Sequence, residues 1–595
     1  MLKRLYSETN LLLKDFTFEP GINIILGKYS GLKEATGVNG IGKSSLIRLI
    51  DFALLSDSAE KLFFSDKYKF LKDEKHNIVL EFLINKKKYF IKRYFEKKDE
   101  IYFGTTPKNL EKYDKTELKK TLTNIFFPTV NNDIYIEGSK FRTLMNFFIK
   151  DDLDSHRRYD PLNFVGAEGI NKTNIAIFNF FLLNLPTRNL LSFAEVAKEI
   201  DNKNKAVKEI ERTVEAETGK KIEEFHADKI KIEKGIALIE KSLNDYKFLE
   251  NYKNIESELI EITRKINEKL EEHHALNMQL KKIRDNFTLN QNIDTAQIQK
   301  IYNETLYTLG DLVKKSLDSI IQFKSELLEN RNKFLIKKEN QLQSKIDEIL
   351  NHISVFEKER SILYQKLKEK GALDSIENAY KDLISEKTKL LRIDNYTEQV
   401  DNLKQIVFDL EVTVSELRRS IINDLNNYNK QIDTLQRLFH EILEHAIFID
   451  EENENAYFII EKEANTKSNQ VPFKIQMELP KADALGNFRL KIIVYDLMVY
   501  LNNIKINREL PDFLIHDGVF HAISKKTMIN TLNYVFRQYN TFQNFQYFLT
   551  FNEDEIDTPT NKSETYGSFE FDWRKHVVAE FSDVPEKMLF KKMLP

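Results

Sequence analysis

The chain contains no cysteine among its 595 residues. That excludes disulfides, thiolate zinc sites and a cysteine nucleophile, and it suits a reducing cytoplasm. Glycine and proline are scarce, at 17 and 11 residues, while charged residues make up 31%. This bias points to long helices rather than disorder. No long hydrophobic run is present: the most apolar stretch, Ile175 to Leu185, is interrupted by Asn179 and Asn184 and is shorter than the ~18 residues a spanning helix needs. The segment Met1-Leu2-Lys3-Arg4-Leu5-Tyr6-Ser7-Glu8 lacks the apolar core of a signal peptide. A soluble, cytoplasmic protein is expected. Neither sign of charge dominates, since the net charge is only −3, so any nucleic-acid contact would have to come from a local patch. The length exceeds what one hydrophobic core holds, which implies several domains or one elongated element.

What is present is a phosphate-loop pattern. Gly37-Val38-Asn39-Gly40-Ile41-Gly42-Lys43-Ser44-Ser45 fits G-x-x-x-x-G-K-[ST]. A strand-like run, Ile22 to Leu26, precedes it and a helix-like run, Leu46 to Asp51, follows. Backbone N–H groups of Gly37, Asn39, Gly40, Gly42 and Ser45 can then wrap phosphate oxygens at a helix N-terminus. Lys43 would reach the terminal phosphates and Ser44 would ligate Mg²⁺. The insertion Gly27 to Thr36 between strand and loop is read as a nucleotide-covering or partner-facing flap.

Residues 1 to about 190 read as a mixed α/β lobe. Ile78–Ile84 and Tyr89–Phe95 form a hairpin around the turn Asn85-Lys86-Lys87-Lys88, whose lysines are read as a solvated tip. Helices are expected over Thr116–Phe127 and Ser139–Phe148. Long charged helices with an apolar stripe follow. One stripe is Ile255, Leu259, Ile262, Ile266, Leu270, Leu276, Leu280 and Ile283, and a second is Leu342, Ile346, Ile349, Ile353, Phe356, Leu363 and Leu367. Such spacing pairs helices along a narrow seam. The simplest arrangement is an antiparallel coiled-coil hairpin, ascending over 191–290, turning over 291–325 and descending over 326–446, with elbows at Gly219, Gly310 and Gly371. A parallel coil between separate chains is the alternative. His273 and His274 are read as seam or surface residues, because nothing near them completes a coordination set.

From residue 447 to 595 short strands and helices return. Ala456–Ile460 and Phe473–Met477 alternate as strands, and Phe488–Leu501 is helix-like. Asp512–Asp517 is an apolar run ending on an acid, and Phe545–Asn552 is a buried-strand candidate. A phosphate loop needs a carboxylate at the end of a neighbouring strand for its Mg²⁺, and Asp517 fits. It lies more than four hundred residues beyond Lys43, so the expected fold is α/β plus coiled coil, with an N- and a C-terminal half-lobe joined by the coil.

That order resembles the SMC/RecN-type long-coil ABC ATPases, and more specifically the YydD-like proteins of bacterial ABC-three-component conflict systems. The most specific stretches are Ile301-Tyr302-Asn303-Glu304, Glu329–Leu335, Leu367–Leu373, Ile515-His516-Asp517-Gly518 and Leu549–Asp554. The resemblance implies a split P-loop ATPase head, two heads dimerising around two ATP molecules, and a small middle-component protein and an effector enzyme, nuclease or protease, as partners in anti-phage defence. DNA is a further partner to test.

Three positions depart from the ABC pattern. Gly518 stands where a glutamate activates water, Asn552 replaces the switch histidine, and Ala484-Leu485-Gly486-Asn487 keeps the signature glycine, Gly486, but loses the serine hydroxyl. Losing a general base removes ~10²- to 10⁴-fold of rate. His516 is a poor substitute, because a neighbouring strand residue faces the other way, and Glu553, Asp554 and Glu555 read as a solvated turn. Two functions remain open: a weak ATPase acting as an ATP-gated sensor, with Lys43, Asp517 and Asn552 as its chemical groups, or a nucleotide-binding scaffold that does not hydrolyse ATP.

Overall fold

The computed structural model describes residues 1–30, 40–73, 75–138, 140–150, 160–164, 172–218, 221–245, 253–288, 317–368, 374–449, 455–463, 470–480, 485–521, 523–557 and 566–593. The proposed flap, the distal turn and the elbows at Gly219, Gly310 and Gly371 fall outside these residues for all or most of their length.

The chain divides into two compact units: residues 1–202 with 407–595, and residues 203–406. In the first, the sequence order of strands is β1 Leu2–Tyr6, β2 Phe16–Thr17, β3 Gly21–Lys28, β4 Asn77–Ile84, β5 Lys87–Tyr94, β6 Ile101–Thr106, β7 Asn109–Tyr113, β8 Ile149–Lys150, β9 Tyr457–Lys462, β10 Phe473–Glu478, β11 Phe513–His516, β12 Gln546–Asn552 and β13 Val577–Ser582. They form three sheets. A five-stranded sheet of order β13-β3-β12-β11-β8 is parallel throughout. Strand β3 lies inside this sheet, between β13 and β12, and all its residues from Gly21 to Gly27 are buried, as expected of an apolar run covered on both faces. Residues near the start of the chain thus pair directly with residues near its end, Gly27 opposite Asn552 and Lys28 opposite Ser582.

The second sheet, β2-β1-β4-β5-β6-β7, is antiparallel in every pairing. The hairpin turn is tighter than the four residues read from sequence. Asn85 and Lys86 alone make it, both with positive φ (49° and 63°), the two-residue geometry that matches strand twist. Lys87 and Lys88 already pair with Ile84 and Leu83. The third sheet is the antiparallel pair β9–β10.

Helices α1 Lys43–Ala53, α2 Asp57–Phe63, α3 Phe70–Asp73, α4 Lys115–Phe126, α5 Phe141–Phe148 and α6 Lys172–Leu182 follow the first strands. In α1, Leu46, Ile47, Leu49, Ile50 and Phe52 are all buried, which fixes its face against the sheets. The long helices are α7 Arg188–Thr218, α8 Ile222–Asp245, α9 Lys253–Thr288, α10 Leu317–Lys368 and α11 Asp374–Asn427. Within the second unit, Val207, Val214 and Ile222 pack with Val400, Leu259 packs with Leu363 and Tyr364, and Leu280 packs with Leu342 and Ile346. Sequence numbers fall on one side of the seam as they rise on the other, so the helices run antiparallel. Arg284 Nε bonds Glu339 at 2.8 Å across the same seam. Leu270 departs from the stripe and is 37% exposed, while Leu259, Ile266 and Leu280 are buried. The stripe drifts around the helix because 3.6 residues per turn do not match a strict heptad.

The remaining helices are α12 Asn429–Ile442, α13 Leu485–Lys505, α14 Lys525–Phe542 and α15 Glu553–Ile556. Leu435, Leu438 and Phe439 of α12 belong to the main core of the first unit, with α13 and the parallel sheet. No helix among the described residues is long and apolar enough to cross a membrane.

Candidate nucleotide site

The polar residues of interest gather at the carboxyl ends of β3, β12 and β11, where open parallel sheets present their ligand crevices. Residues 31–39, Gly37 and Asn39 among them, lie outside the described residues. The described part of the loop is Gly40 to Ser45. Gly40 and Gly42 have φ of 83° and 117°, values that side chains of L-residues rarely adopt. At Gly42 the close approach is as demanding as the angle: an added Cβ would stand 2.4 Å from Leu589 Cβ. The backbone of Leu589 donates to Ile41 O at 3.2 Å, and its carbonyl accepts from Leu13 N at 2.9 Å. The C-terminal segment therefore braces the loop from behind.

Helix α1 starts at Lys43, its N-cap Gly42 offers no side-chain cap, and its first turn carries no acid. The first N–H groups of a helix have no acceptor within it, and with the helix dipole they favour an anion. Ser44 and Ser45 lie in this first turn. The Lys43 ammonium turns back over β3 and donates to Asn552 Oδ1 at 2.6 Å. Gly27 makes the route possible, since a Cβ there would lie 2.9 Å from Lys43 Nζ and 3.1 Å from Asn552 Oδ1. Burial lowers the Lys43 pKa, opposed by the charges of Glu555, Asp517 and Asp554.

Asp517 follows β11 and is 3% exposed. Its N–H donates to Lys150 O at 2.8 Å, and its Oδ1 accepts from the Thr550 hydroxyl at 2.7 Å. The same Thr550 oxygen accepts from Gly518 N at 3.1 Å. Thr550 thus holds both sides of the Asp517–Gly518 bend. Sequence reasoning passed over it, although its position two residues before Asn552 puts both on one face of β12. Gly518 has φ of 68° and carries no carboxylate.

His516 faces away from this crevice. Its Nε2 bonds Asp496 Oδ2 at 2.9 Å and its Nδ1 bonds the Tyr547 hydroxyl at 2.9 Å. A carboxylate accepts only, so Nε2 carries the proton and Tyr547 donates to Nδ1. The second Asp496 oxygen receives Lys150 Nζ at 2.7 Å. This ion pair is almost wholly buried, 6% and 0% exposed. Burial, opposed by Asp496, lowers the His516 pKa.

Asn552 closes β12 and caps α15. Its N–H donates to Glu555 Oε2 at 2.7 Å, and Glu555 Oε1 bonds His521 Nδ1 at 2.9 Å. Residues 553–556 form a helical turn in which the Glu555 carboxylate satisfies the N–H of the N-cap Asn552, while Asp554 is exposed and Glu553 half-exposed, as a solvated turn requires. Burial raises the Glu555 pKa, but the hydrogen bonds from His521 and Asn552 N and the charges of His521 and Lys43 leave it lowered overall. Arg489, in the first turns of α13, donates through Nη1 to Gly518 O at 2.8 Å and His521 O at 2.6 Å. Gly486 is the second residue of α13, and Ala484 lies outside the described residues. Among the described residues no group of three or more His, Asp or Glu side chains forms a metal-binding cluster.

No curated protein matches this sequence. Among solved structures, the chain is similar to the Smc head domain with a coiled coil and joint from Pyrococcus yayanosii, at 12% identity over 93% of this chain and 92% of that one, with a TM-score of 0.33. It is also similar to the Smc head domain with an extended coiled coil bound to the C-terminal domain of ScpA from Pyrococcus furiosus, at 11% identity over 93% and 90%, with a TM-score of 0.32. Residues 435–593, which include Asp517 and Asn552 but not the phosphate loop, match the family DUF2326, described as an uncharacterised protein conserved in bacteria.

Proposed function

We propose that the chain binds Mg·ATP as an SMC-like ABC ATPase, in a head built from residues 1–202 and 407–595, its two parts linked in sequence by the antiparallel helices of 203–406. The observation that carries this reading is the contact between Lys43 and Asn552, side chains 509 residues apart that meet at 2.6 Å at the mouth of the parallel sheet. Phosphates would be held by the loop and the first turn of α1, and Lys43 would exchange Asn552 for a phosphate oxygen. Asn552 then turns its amide N–H toward the same phosphate. A serine hydroxyl and a carboxylate, Ser44 and Asp517, are the hard oxygen donors that suit Mg²⁺, and the Thr550 bond fixes one Asp517 oxygen in place. The ion supplies neutralising charge at the phosphates when bound.

The second copy of the chain would present the Gly486 backbone from the start of α13, closing two heads on two nucleotides. Turnover would be slow, because Gly518 supplies no base. In the cell we place the protein in the cytoplasm as the sensor or regulator of a multi-component anti-phage defence complex. ATP-driven head closure would control an effector nuclease or protease through a small middle component, with DNA as a candidate trigger. The experiment is Lys43-dependent phosphate release, measured with and without DNA and partner proteins. If Lys43→Ala releases as much phosphate as the parent, the enzyme reading fails. The second reading, a nucleotide-binding scaffold without hydrolysis, is favoured by Gly518 itself, and would give ATP-dependent dimers with no release above that of Lys43→Ala.

A further inference from the structure

We propose that Tyr29 and Asp583 form the base subsite of the nucleotide site and select adenine, an inference that rests on the nucleotide-binding reading above. The sheet order gives the direction. Lys43 and Asn552 mark the terminal-phosphate end of the site over β3 and β12, with Asp517 beyond them after β11. The nucleoside at the other end of the triphosphate then extends across the remaining neighbour of β3, which is β13. Register brings two side chains there. Gly27 of β3 opposes Phe581 of β13, and Lys28 opposes Ser582. The face of Gly27 is the one that Lys43 crosses, since a Cβ on Gly27 would lie 2.9 Å from Lys43 Nζ. Tyr29 and Asp583 each stand two residues beyond that opposed pair, so strand alternation returns both to the same face, about 7 Å further along. The strand ends are still joined at that level, because Asp583 Oδ1 accepts from Ser30 N at 2.9 Å.

Both side chains keep a valence for a ligand. Tyr29 is 59% exposed, so its ring is open to stacking. Asp583 is 3% exposed, yet its second oxygen, Oδ2, is buried without a hydrogen-bond partner. A buried acceptor left unpaired is costly, and only a donor can answer a carboxylate. An aromatic ring beside a single open acceptor is the arrangement that reads a base, the ring by stacking on its face and the acceptor by bonding its polar edge. The charge of the carboxylate then chooses among bases. Adenine presents the N6 amine, a donor, where guanine and hypoxanthine present the O6 carbonyl, an acceptor. Asp583 pairs with the first and repels the second. The segment that follows Asp583 also braces the phosphate loop through Leu589, so the base and phosphate subsites share one support.

The competing account is that Asp583 only fastens the end of β13 to Ser30. Titrations of the full chain with ATP, inosine triphosphate and inorganic tripolyphosphate separate the two accounts, with thermal melting beside them and Lys43→Ala as the reference. Inosine triphosphate carries a carbonyl in place of the adenine amine, and tripolyphosphate has no base. The parent is expected to bind ATP about tenfold or more tighter than inosine triphosphate, the range of a hydrogen bond to a charged group. Asp583→Asn keeps an oxygen for Ser30 N and puts an amide N–H where Oδ2 stood, so the preference should reverse, with melting and tripolyphosphate binding unchanged. Tyr29→Ala should weaken ATP and inosine triphosphate alike by about tenfold, the loss of one stacking contact. An ATP-to-inosine ratio in Asp583→Asn equal to the parent's, a parent that binds both equally, or a Tyr29→Ala titration identical to the parent's overturns the subsite while the phosphate-loop reading stands. Losses that extend to tripolyphosphate or follow a fall in melting temperature assign the pair to structure and also overturn it. Parent binding of ATP no tighter than that of Lys43→Ala overturns both.

Discussion

Replacing Asp496 by asparagine removes a buried carboxylate from beside the Lys150 ammonium, and the size of the effect can be worked from the structure. Asp496 is 0% exposed and Lys150 6%. Their bond at 2.7 Å offsets the cost of burying both ions. Removing one partner of such a pair costs about 3–5 kcal/mol, whereas replacing both by neutral groups is close to neutral. Asp496→Asn is therefore expected to lower the urea midpoint by about 1 M or more, taking a slope of about 3 kcal/mol per molar. Lys150→Met added to Asp496→Asn should recover most of that loss. The single tryptophan, Trp573, is 5% exposed and lies in the same compact unit, so its fluorescence reports the right transition. An Asp496→Asn midpoint equal to the parent's, or a double variant no more stable than the single one, would refute the reasoning. The Asp517 backbone bond goes to the Lys150 carbonyl, so side-chain changes at Lys150 leave that bond in place.

Gly42→Ala combines a φ of 117° with a Cβ placed 2.4 Å from Leu589 Cβ, and should cost at least the ~1–3 kcal/mol of a strained backbone residue while weakening ATP binding; Leu589→Ala in the same chain should restore part of it, as melting and nucleotide titration will show. His516 titrates with a depressed pKa because of burial, so its folded form stays neutral while the unfolded chain takes up a proton. Its contribution to stability is present in full above the ordinary histidine value of 6.5 and declines as pH falls below it; urea midpoints from pH 8 to 5.5 should show that slope, diminished in His516→Asn. Gly518→Glu restores the expected sequence pattern but not the geometry, since φ of 68° disfavours an L-residue by ~1–2 kcal/mol. Phosphate release should not rise above the parent's, and melting should fall.

The elements were legible where local pattern decides them. The apolar run Ile22–Leu26 reads as a strand and is one, buried along its whole length, and the glycine-rich stretch ending at Lys43 does open a helix. The same holds for the strands ending near Asp517 and Asn552, which polar residues terminate. Their juxtaposition with Lys43 came from the order of segments rather than from periodicity. What escaped the sequence depends on distant contacts. Leu589 behind Gly42 has no local signature. Nor does the His521–Glu555 pair, whose members follow different strands. Asp496 did leave a signal, a lone acid in the apolar run Ile492–Leu501 of α13, and a lone acid in such a run needs a buried cation; only the fold reveals that Lys150 provides it. Leu270 sits at stripe spacing yet faces water, because spacing alone does not say where a seam passes.

The most direct test of one nucleotide site shared by both ends of the chain is calorimetric titration of ATP into the full-length protein, with Mg²⁺ and with EDTA. Lys43→Ala should abolish measurable binding under both conditions. Asp517→Asn, far along the chain, should weaken binding about tenfold in Mg²⁺ and leave it unchanged in EDTA, the loss of one charged oxygen contact of about 1.5–3 kcal/mol. Binding by Lys43→Ala equal to the parent's, or an Asp517→Asn titration identical to the parent's in Mg²⁺, would contradict the account.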